Sequence, residues 1–407
     1  MFSGEVFFAL YVIAGAYKSI IPLQEKIDLT LLFMIISFAI AIKRLIKEPI
    51  LNKGQIKVIF LYGIFYFILI FSLFYTPSEI YAKDKITKMF FLVGWNVLGT
   101  LILLKSDKSI LRFLITILII SLIMSINIFF EFLKTGTMDF IEIESTNYLS
   151  YSRLAATSMI TILCYFFLKS KNYISSIFSF LLLLFMSFAC LVSGARSTFI
   201  TLILCLLVIF IILIKLNYSV KKLKLNKKYF ILITVLVVVL IYLFNLGYFD
   251  LIKMRLEAIS TEGKDTPRYV LADAAKEMWM KKPIMGWGLG SYTIVTTGDD
   301  KVDYPHNIIL ELLSENGIIG LIPFLIICFL SVKNCLMALK KCNLDAFNMQ
   351  LTVTILLIFW ISMIAFSSLE AARLMHIFLV LGIMSPYRKM PASNEYILKS
   401  DKQLMKE

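Results

Sequence analysis

One of only two histidines in the 407-residue chain stands in Tyr304-Pro305-His306-Asn307, and nine residues separate Asn307 from Gly317-Ile318-Ile319-Gly320. The first stretch closes a long polar loop, and the second lies in the apolar run that follows. A helix N-terminus disfavours a protonated imidazole, so His306 at such a place is neutral at pH 7 and free to take a proton from a sugar hydroxyl, as a general base does. Arginine is the second feature. Lysine outnumbers it 33 to 8, yet four of the eight, Arg153, Arg196, Arg268 and Arg373, fall at one boundary between apolar runs and loops. A guanidinium keeps its charge and binds phosphate or carboxylate with a planar fork. A cluster of arginines at one depth suggests an anionic ligand such as a diphosphate.

The four arginines do not read alike. Arg196 sits in Ser193-Gly194-Ala195-Arg196-Ser197, a tight turn whose small residues let a ligand or backbone come close. Arg268 opens a helix that Thr266-Pro267 caps, where free N–H groups and the helix dipole assist anion binding. Leu271, Ala274, Ala275 and Met278 share one face of that helix, and Lys281-Lys282-Pro283 ends it. Gly286-Trp287-Gly288-Leu289-Gly290 then reads as a flexible connection. It follows no strand and opens no βαβ unit, so it is no dinucleotide loop. Arg153 reads as a side chain snorkelling to lipid headgroups. Glu370, Arg373 and His376 share a helical stripe, with Glu370 and His376 a structural polar pair and Arg373 a further phosphate ligand. Asp299, Asp300 and Asp303 with the two histidines lack zinc-like spacing and read as solvated, so no metal is expected. No Gly-x-Ser-x-Gly elbow occurs for a serine hydrolase.

The elements that carry these residues are membrane helices. The chain is 59% hydrophobic with a mean hydropathy of +0.85, and apolar runs long enough to cross a bilayer repeat along it. Twelve spans are predicted, near 5–21, 27–42, 58–75, 89–104, 113–130, 154–168, 174–192, 198–214, 230–246, 307–332, 351–366 and 374–387. With both termini cytoplasmic, the inner segments hold 24 of the 41 lysines and arginines, as the positive-inside rule requires. The net charge of +14 is thereby explained without nucleic acid, for which no soluble basic domain exists. The six cysteines lie in spans or a lysine-rich loop, which indicates no disulfide framework. No basic stretch precedes the first apolar run, so no cleaved signal peptide is expected. The organisation is thus residues 1–246 as nine spans, 247–306 as a long, partly helical outer loop, 307–387 as three spans, and 388–407 as a polar inner tail.

Taken together, these residues resemble the O-antigen ligase/polymerase superfamily of bacterial envelope glycosyltransferases. That family's pattern is an arginine in a small-residue turn, a long periplasmic loop with a second arginine, then His-Asn, nine residues and Gly-x-x-Gly. Ser193–Ser197, Pro267-Arg268 leading to Pro283-Ile284-Met285-Gly286-Trp287-Gly288, and His306-Asn307 to Gly317–Gly320 match it, over about residues 190–330. The resemblance implies an all-α, GT-C-like fold in the bacterial inner membrane and a glycan donor on undecaprenyl diphosphate, with no nucleotide sugar, metal or other cofactor. Arg196 and Arg268 would hold the diphosphate as it leaves, and His306 would orient or deprotonate the acceptor hydroxyl, giving inversion. Asn307 would join the substrate-binding set, and Arg373 extends it beyond the family's pattern. The acceptor is a second glycan for a repeat-unit polymerase, the favoured reading, or lipid A-core for an O-antigen ligase. A transporter of lipid-linked glycans is the alternative of another class. It requires charges along a crossing path, whereas Lys18, Glu311 and Glu315 are nearly the only charges inside the spans.

Overall fold

The computed structural model describes residues 3–17, 28–47, 51–135, 148–170, 172–192, 196–220 and 267–388. These are helices, with no strand among the described residues. In chain order they are α1 (Gly4–Tyr17), α2 (Leu29–Lys47), α3 (Lys53–Ser72), α4 (Ile80–Lys88), α5 (Gly94–Leu103), α6 (Asp107–Thr135), α7 (Tyr148–Thr161), α8 (Tyr173–Val192) and α9 (Arg196–Val220). There follow α10 (Pro267–Lys281), α11 (Tyr292–Thr297), α12 (Ile308–Lys341), α13 (Leu344–Ser362) and α14 (Arg373–Met384). A π-helical turn, Met89–Val93, joins α4 to α5, and another, Ile162–Phe167, extends α7. In a bilayer only a structure that satisfies its own backbone can cross, which is why apolar runs of this length become helices.

Eight of the described helices are long and apolar enough to cross a membrane, and Gly4–Tyr17 and Arg373–Tyr387 are shorter apolar helices. The chain is an all-α, multi-pass membrane protein. Eleven of the twelve predicted spans coincide with a described helix; the one near 230–246 lies outside the described residues. Large apolar side chains on α2, α3, α8 and α9, among them Phe38, Phe67, Phe178 and Leu207, are exposed, as lipid-facing surface is. The interior is built on α14, whose residues from Leu374 to Met384 are all buried. α12, α13, α5 and α3 pack around it.

The bundle has two chemically distinct ends. At one, the lysine- and arginine-bearing segments meet: Arg44 donates to the Leu103 carbonyl at 3.3 Å, Gln55 to the Leu101 carbonyl at 2.8 Å, and Arg388 lies 3.4 Å from Asp107. At the other end lie the 267–306 segment, the N-termini of α4, α7, α9, α12 and α14, and the turn after α13. Asp300 ties the segment down there. Its carboxylate accepts from the Ser78 hydroxyl and from the backbone N–H groups of Glu79, Ile80 and Tyr81, at 2.7–3.2 Å, and so caps α4. Slight burial alone would raise the Asp300 pKa, but these four donors hold it below the usual carboxylate range. Asp300 is therefore an anchor and not the solvated acid its neighbours suggested.

Candidate active site

The 267–306 segment reaches the bundle through a break in α12. At Gly317 the backbone takes φ 61° and ψ −161°, a region essentially reserved for glycine. The break strands backbone groups on both sides, and the segment supplies their partners. Ile318 and Ile319 donate to the Pro283 and Ile284 carbonyls at 3.0 and 3.2 Å, while Trp287 and Gly288 donate to the Ser314 and Glu315 carbonyls at 3.0 and 2.7 Å. The approach is so close that a Cβ on Gly286 would lie 2.4 Å from the Glu315 carbonyl carbon, and one on Gly317 2.3 Å from the Ile284 oxygen. The 286–290 run is thus a buried wedge rather than a flexible connection: Gly286, Gly288, Leu289 and Gly290 are all buried. Its Leu289 also bonds α3, through the Ser72 hydroxyl at 3.2 Å, and its carbonyl accepts from Thr76 at 2.8 Å.

Held by this wedge, α10 starts at Pro267 as the Pro267-Arg268 pattern predicts, with Arg268 exposed in its first turn; Thr266 lies outside the described residues. Ala275 and Met278 on its inner face pack with Tyr292. The chain then returns to His306, which has a positive φ of 52°. The imidazole is half-buried, with its ring centroid 4.4 Å from that of Tyr304. Burial pushes its pKa below the ordinary value; Arg268 and Arg153 push the same way, and Asp303 opposes them. The neutral imidazole expected from sequence therefore holds, but its main cause is burial, reinforced by two guanidiniums. Burial, with the Glu370 and Glu311 carboxylates in support, raises the Tyr304 phenol above its usual value, and the Ser368 side chain hydrogen-bonds it.

Asn307 is the N-cap of α12, its side-chain oxygen accepting from Ile309 and Leu310 at 2.9 and 3.2 Å. That oxygen is committed to the helix, and the cap helps fix where His306 stands. Arg196 begins α9, while Ser193, Gly194 and Ala195 lie outside the described residues. The Ser152 and Thr198 hydroxyls hydrogen-bond at 3.0 Å and so bring the first turn of α9 against α7, beside Arg153. Arg373 faces elsewhere. Its guanidinium donates to the Tyr11 carbonyl at 3.5 Å and stands 5.7 Å from that tyrosine's ring centroid, against α1. The structure brings together His306, Arg268 and Arg153, and gives Arg373 partners on another helix.

Two groups escaped the sequence reading. Arg153 does not snorkel: it donates to the Phe366 carbonyl at 2.6 Å, and its Nε is buried. The second group is a fully buried ion cluster behind the site. Lys85 of α4 lies 2.5 Å from Glu311 and 2.7 Å from Glu315, one turn apart on α12. Two acids spaced i,i+4 in an apolar helix signal a buried cation, but nothing in the sequence singles out Lys85 as that cation. The other Glu311 oxygen accepts from the Leu369 backbone at 3.0 Å. Glu370 sits in the turn before α14 and not on a helical stripe with His376, because α14 starts at Arg373; its carboxylate accepts from Tyr81 at 3.4 Å. His376 is fully buried, with Nε2 3.1 Å from the Leu369 carbonyl and Nδ1 3.2 Å from the Tyr62 hydroxyl. A carbonyl can only accept, so Nε2 carries the proton and Nδ1 accepts from Tyr62. Both ring nitrogens are thus spent on structure.

Residues 181–325 match the family model described as O-antigen ligase. No curated protein matches the chain. The matched stretch runs from within α8 through the arginine that opens α9 to the far side of the break in α12, and so contains Arg196, Arg268 and His306. Over these residues the chain matches the O-antigen ligase/polymerase superfamily that its motifs resemble.

Proposed function

We propose that the protein is a membrane glycosyltransferase that moves a glycan from undecaprenyl diphosphate to an acceptor sugar hydroxyl at the periplasmic face of a bacterial inner membrane. The observation that carries this reading is a half-buried imidazole with a depressed pKa, flanked by arginines, inside the matched stretch. The lowered pKa keeps the imidazole unprotonated and ready to accept a proton at neutral pH, and the arginines suit a leaving anion. In the proposed step the acceptor O–H proton passes to His306 as the acceptor oxygen bonds the anomeric carbon. The bond from that carbon to the diphosphate oxygen breaks, and its electron pair leaves with the diphosphate. Arg196 and Arg268 offset the charge that develops there. Attack opposite the leaving group inverts the anomeric centre.

The favoured acceptor is a second lipid-linked glycan, which makes the protein a repeat-unit polymerase. A specific observation supports a second acceptor: the matching model is described as O-antigen ligase, which points to lipid A-core. Both reactions use the same donor chemistry. A lipopolysaccharide gel from a host deleted for this protein, complemented with wild type, His306→Ala or Arg196→Ala, tests both. Lipid A-core bearing a single repeat unit, with a ladder restored by wild type and by neither variant, is the polymerase result. Bare lipid A-core with long polymer left on the carrier lipid is the ligase result. A ladder restored by both variants overturns the assignment of His306 and Arg196.

A further inference from the structure

We propose that Arg153 is a third guanidinium of the anion site, binding the donor's diphosphate beside Arg196 and Arg268. The inference rests on the donor reading above and extends it to a residue outside the motifs that the resemblance covers.

Three observations carry it. The first is orientation. Arg153 turns into the protein, where one terminal nitrogen donates to the Phe366 carbonyl at 2.6 Å and Nε is buried with no hydrogen-bond partner among the described residues. A guanidinium has five N–H donors in a fixed fork. One carbonyl orients that fork without neutralising it, and no ion pair to Arg153 occurs among the described residues. The second is company. Arg153 and Arg268 lie within electrostatic reach of each other and of His306, and the Ser152–Thr198 hydrogen bond sets the first turn of α9, which Arg196 opens, against the same stretch of α7. Like charges this close repel one another, and a bound anion offsets that repulsion. The third is the disposition of the nearby acids. Glu311 and Glu315 are committed to Lys85, and Glu370 to Tyr81. Asp303, the carboxylate that acts on His306, is one charge against two arginines. Immediately around His306 the balance is thus two guanidiniums to one carboxylate, beside the base, where a diphosphate must lie if its glycan is to meet an acceptor held by His306.

The alternatives are a purely structural tie to Phe366 and a site for a phospholipid headgroup, whose phosphate shares the same chemistry. The test uses the full-length protein in phosphatidylcholine nanodiscs, titrated with undecaprenyl diphosphate and with undecaprenyl monophosphate. Wild type is expected to prefer the diphosphate. Arg153→Met is expected to lose about 10- to 100-fold in diphosphate affinity, the size of one charge-assisted contact, and much less for the monophosphate. Arg153→Lys, which keeps the charge but not the fork, should recover part of that loss. His306→Ala should bind the diphosphate as wild type does while transferring nothing. A folded Arg153→Met with wild-type diphosphate affinity overturns the proposal. If Arg153→Met does not fold, an unchanged diphosphate preference in Arg153→Lys does the same. Nanodiscs containing phosphatidylglycerol that abolish the wild-type preference assign the residue to headgroups and also overturn it. Wild type that binds neither polyprenyl phosphate refutes the donor reading itself, an outcome separate from failure at Arg153 alone.

Discussion

His306 occupies a left-handed backbone conformation that costs a non-glycine residue about 1–2 kcal/mol. Asn307 at the helix cap, the wedge below and the Tyr304 ring beside it hold the imidazole there. Its titration follows from what surrounds it: burial first, Arg268 of α10 and Arg153 of α7 in the same direction, and Asp303 opposing on its own loop. In the proposed mechanism the active form is the unprotonated one. The rate of glycan transfer should therefore be flat at and above neutral pH and fall as pH drops through a value below the ordinary 6.5. Asp303→Asn removes the opposing charge and should move that acidic limb still lower, by a few tenths to about one unit. A pH–rate profile of kcat/KM for the two proteins checks the sign; a limb that moves upward contradicts it. Linkage gives stability the same sense: the contribution of the depressed histidine is complete above its unfolded pKa and is lost as pH falls through its folded one.

At the level of elements, the site depends on a helix that is broken on purpose. α12 would run unbroken but for Gly317, and the 283–290 wedge repairs the ladder with four hydrogen bonds from outside the helix. A side chain at either contact glycine meets backbone, which cannot swing aside. Gly317→Ala and Gly286→Ala should each cost about 2 kcal/mol or more. Both should also lower transfer, because the same wedge sets the positions of α10 and His306. Thermal unfolding in detergent with parallel transfer assays would measure both effects. Gly298 is the control: its φ is also positive, but a Cβ there meets nothing within 4 Å, so Gly298→Asn should cost well under half as much.

Across the whole molecule, the cluster of Lys85, Glu311 and Glu315 joins the site to the bundle. α4 supplies the cation and α12 both acids, and Glu311 also holds the Leu369 backbone. That last contact fixes the turn before α14, in which Phe366 meets Arg153, Ser368 meets Tyr304 and Glu370 meets Tyr81. Removing one partner of a buried ion pair strands the other, at about 3–5 kcal/mol, whereas removing all the charges together can be nearly neutral. Lys85→Met should accordingly be severely destabilised, and Lys85→Met combined with Glu311→Gln and Glu315→Gln should regain most of the loss. Unfolding midpoints of the single and triple variants decide this. Equal midpoints would mean that the cluster is not held by charge.

What could be read in the chain was what depends on local spacing. Apolar run length dictates helices in a bilayer, so eleven of the twelve predicted spans coincide with helices, and Pro267 and Lys281 mark the two ends of α10 as their residue types require. The order and spacing of the motifs around Arg196, Arg268 and His306 likewise pointed to the family whose model matches residues 181–325. Contacts between distant residues were not legible, because a sequence records neighbours along the chain and these partners are far apart in it. Lys85 meets acids more than two hundred residues away; Arg153 turns inward to the carbonyl of Phe366, 213 residues on; Arg373 meets Tyr11 on the first helix. The glycine run looked flexible for the same reason. Glycine permits both a loose linker and the closest packing, and only the tertiary partner, here the break at Gly317, decides which of the two it becomes.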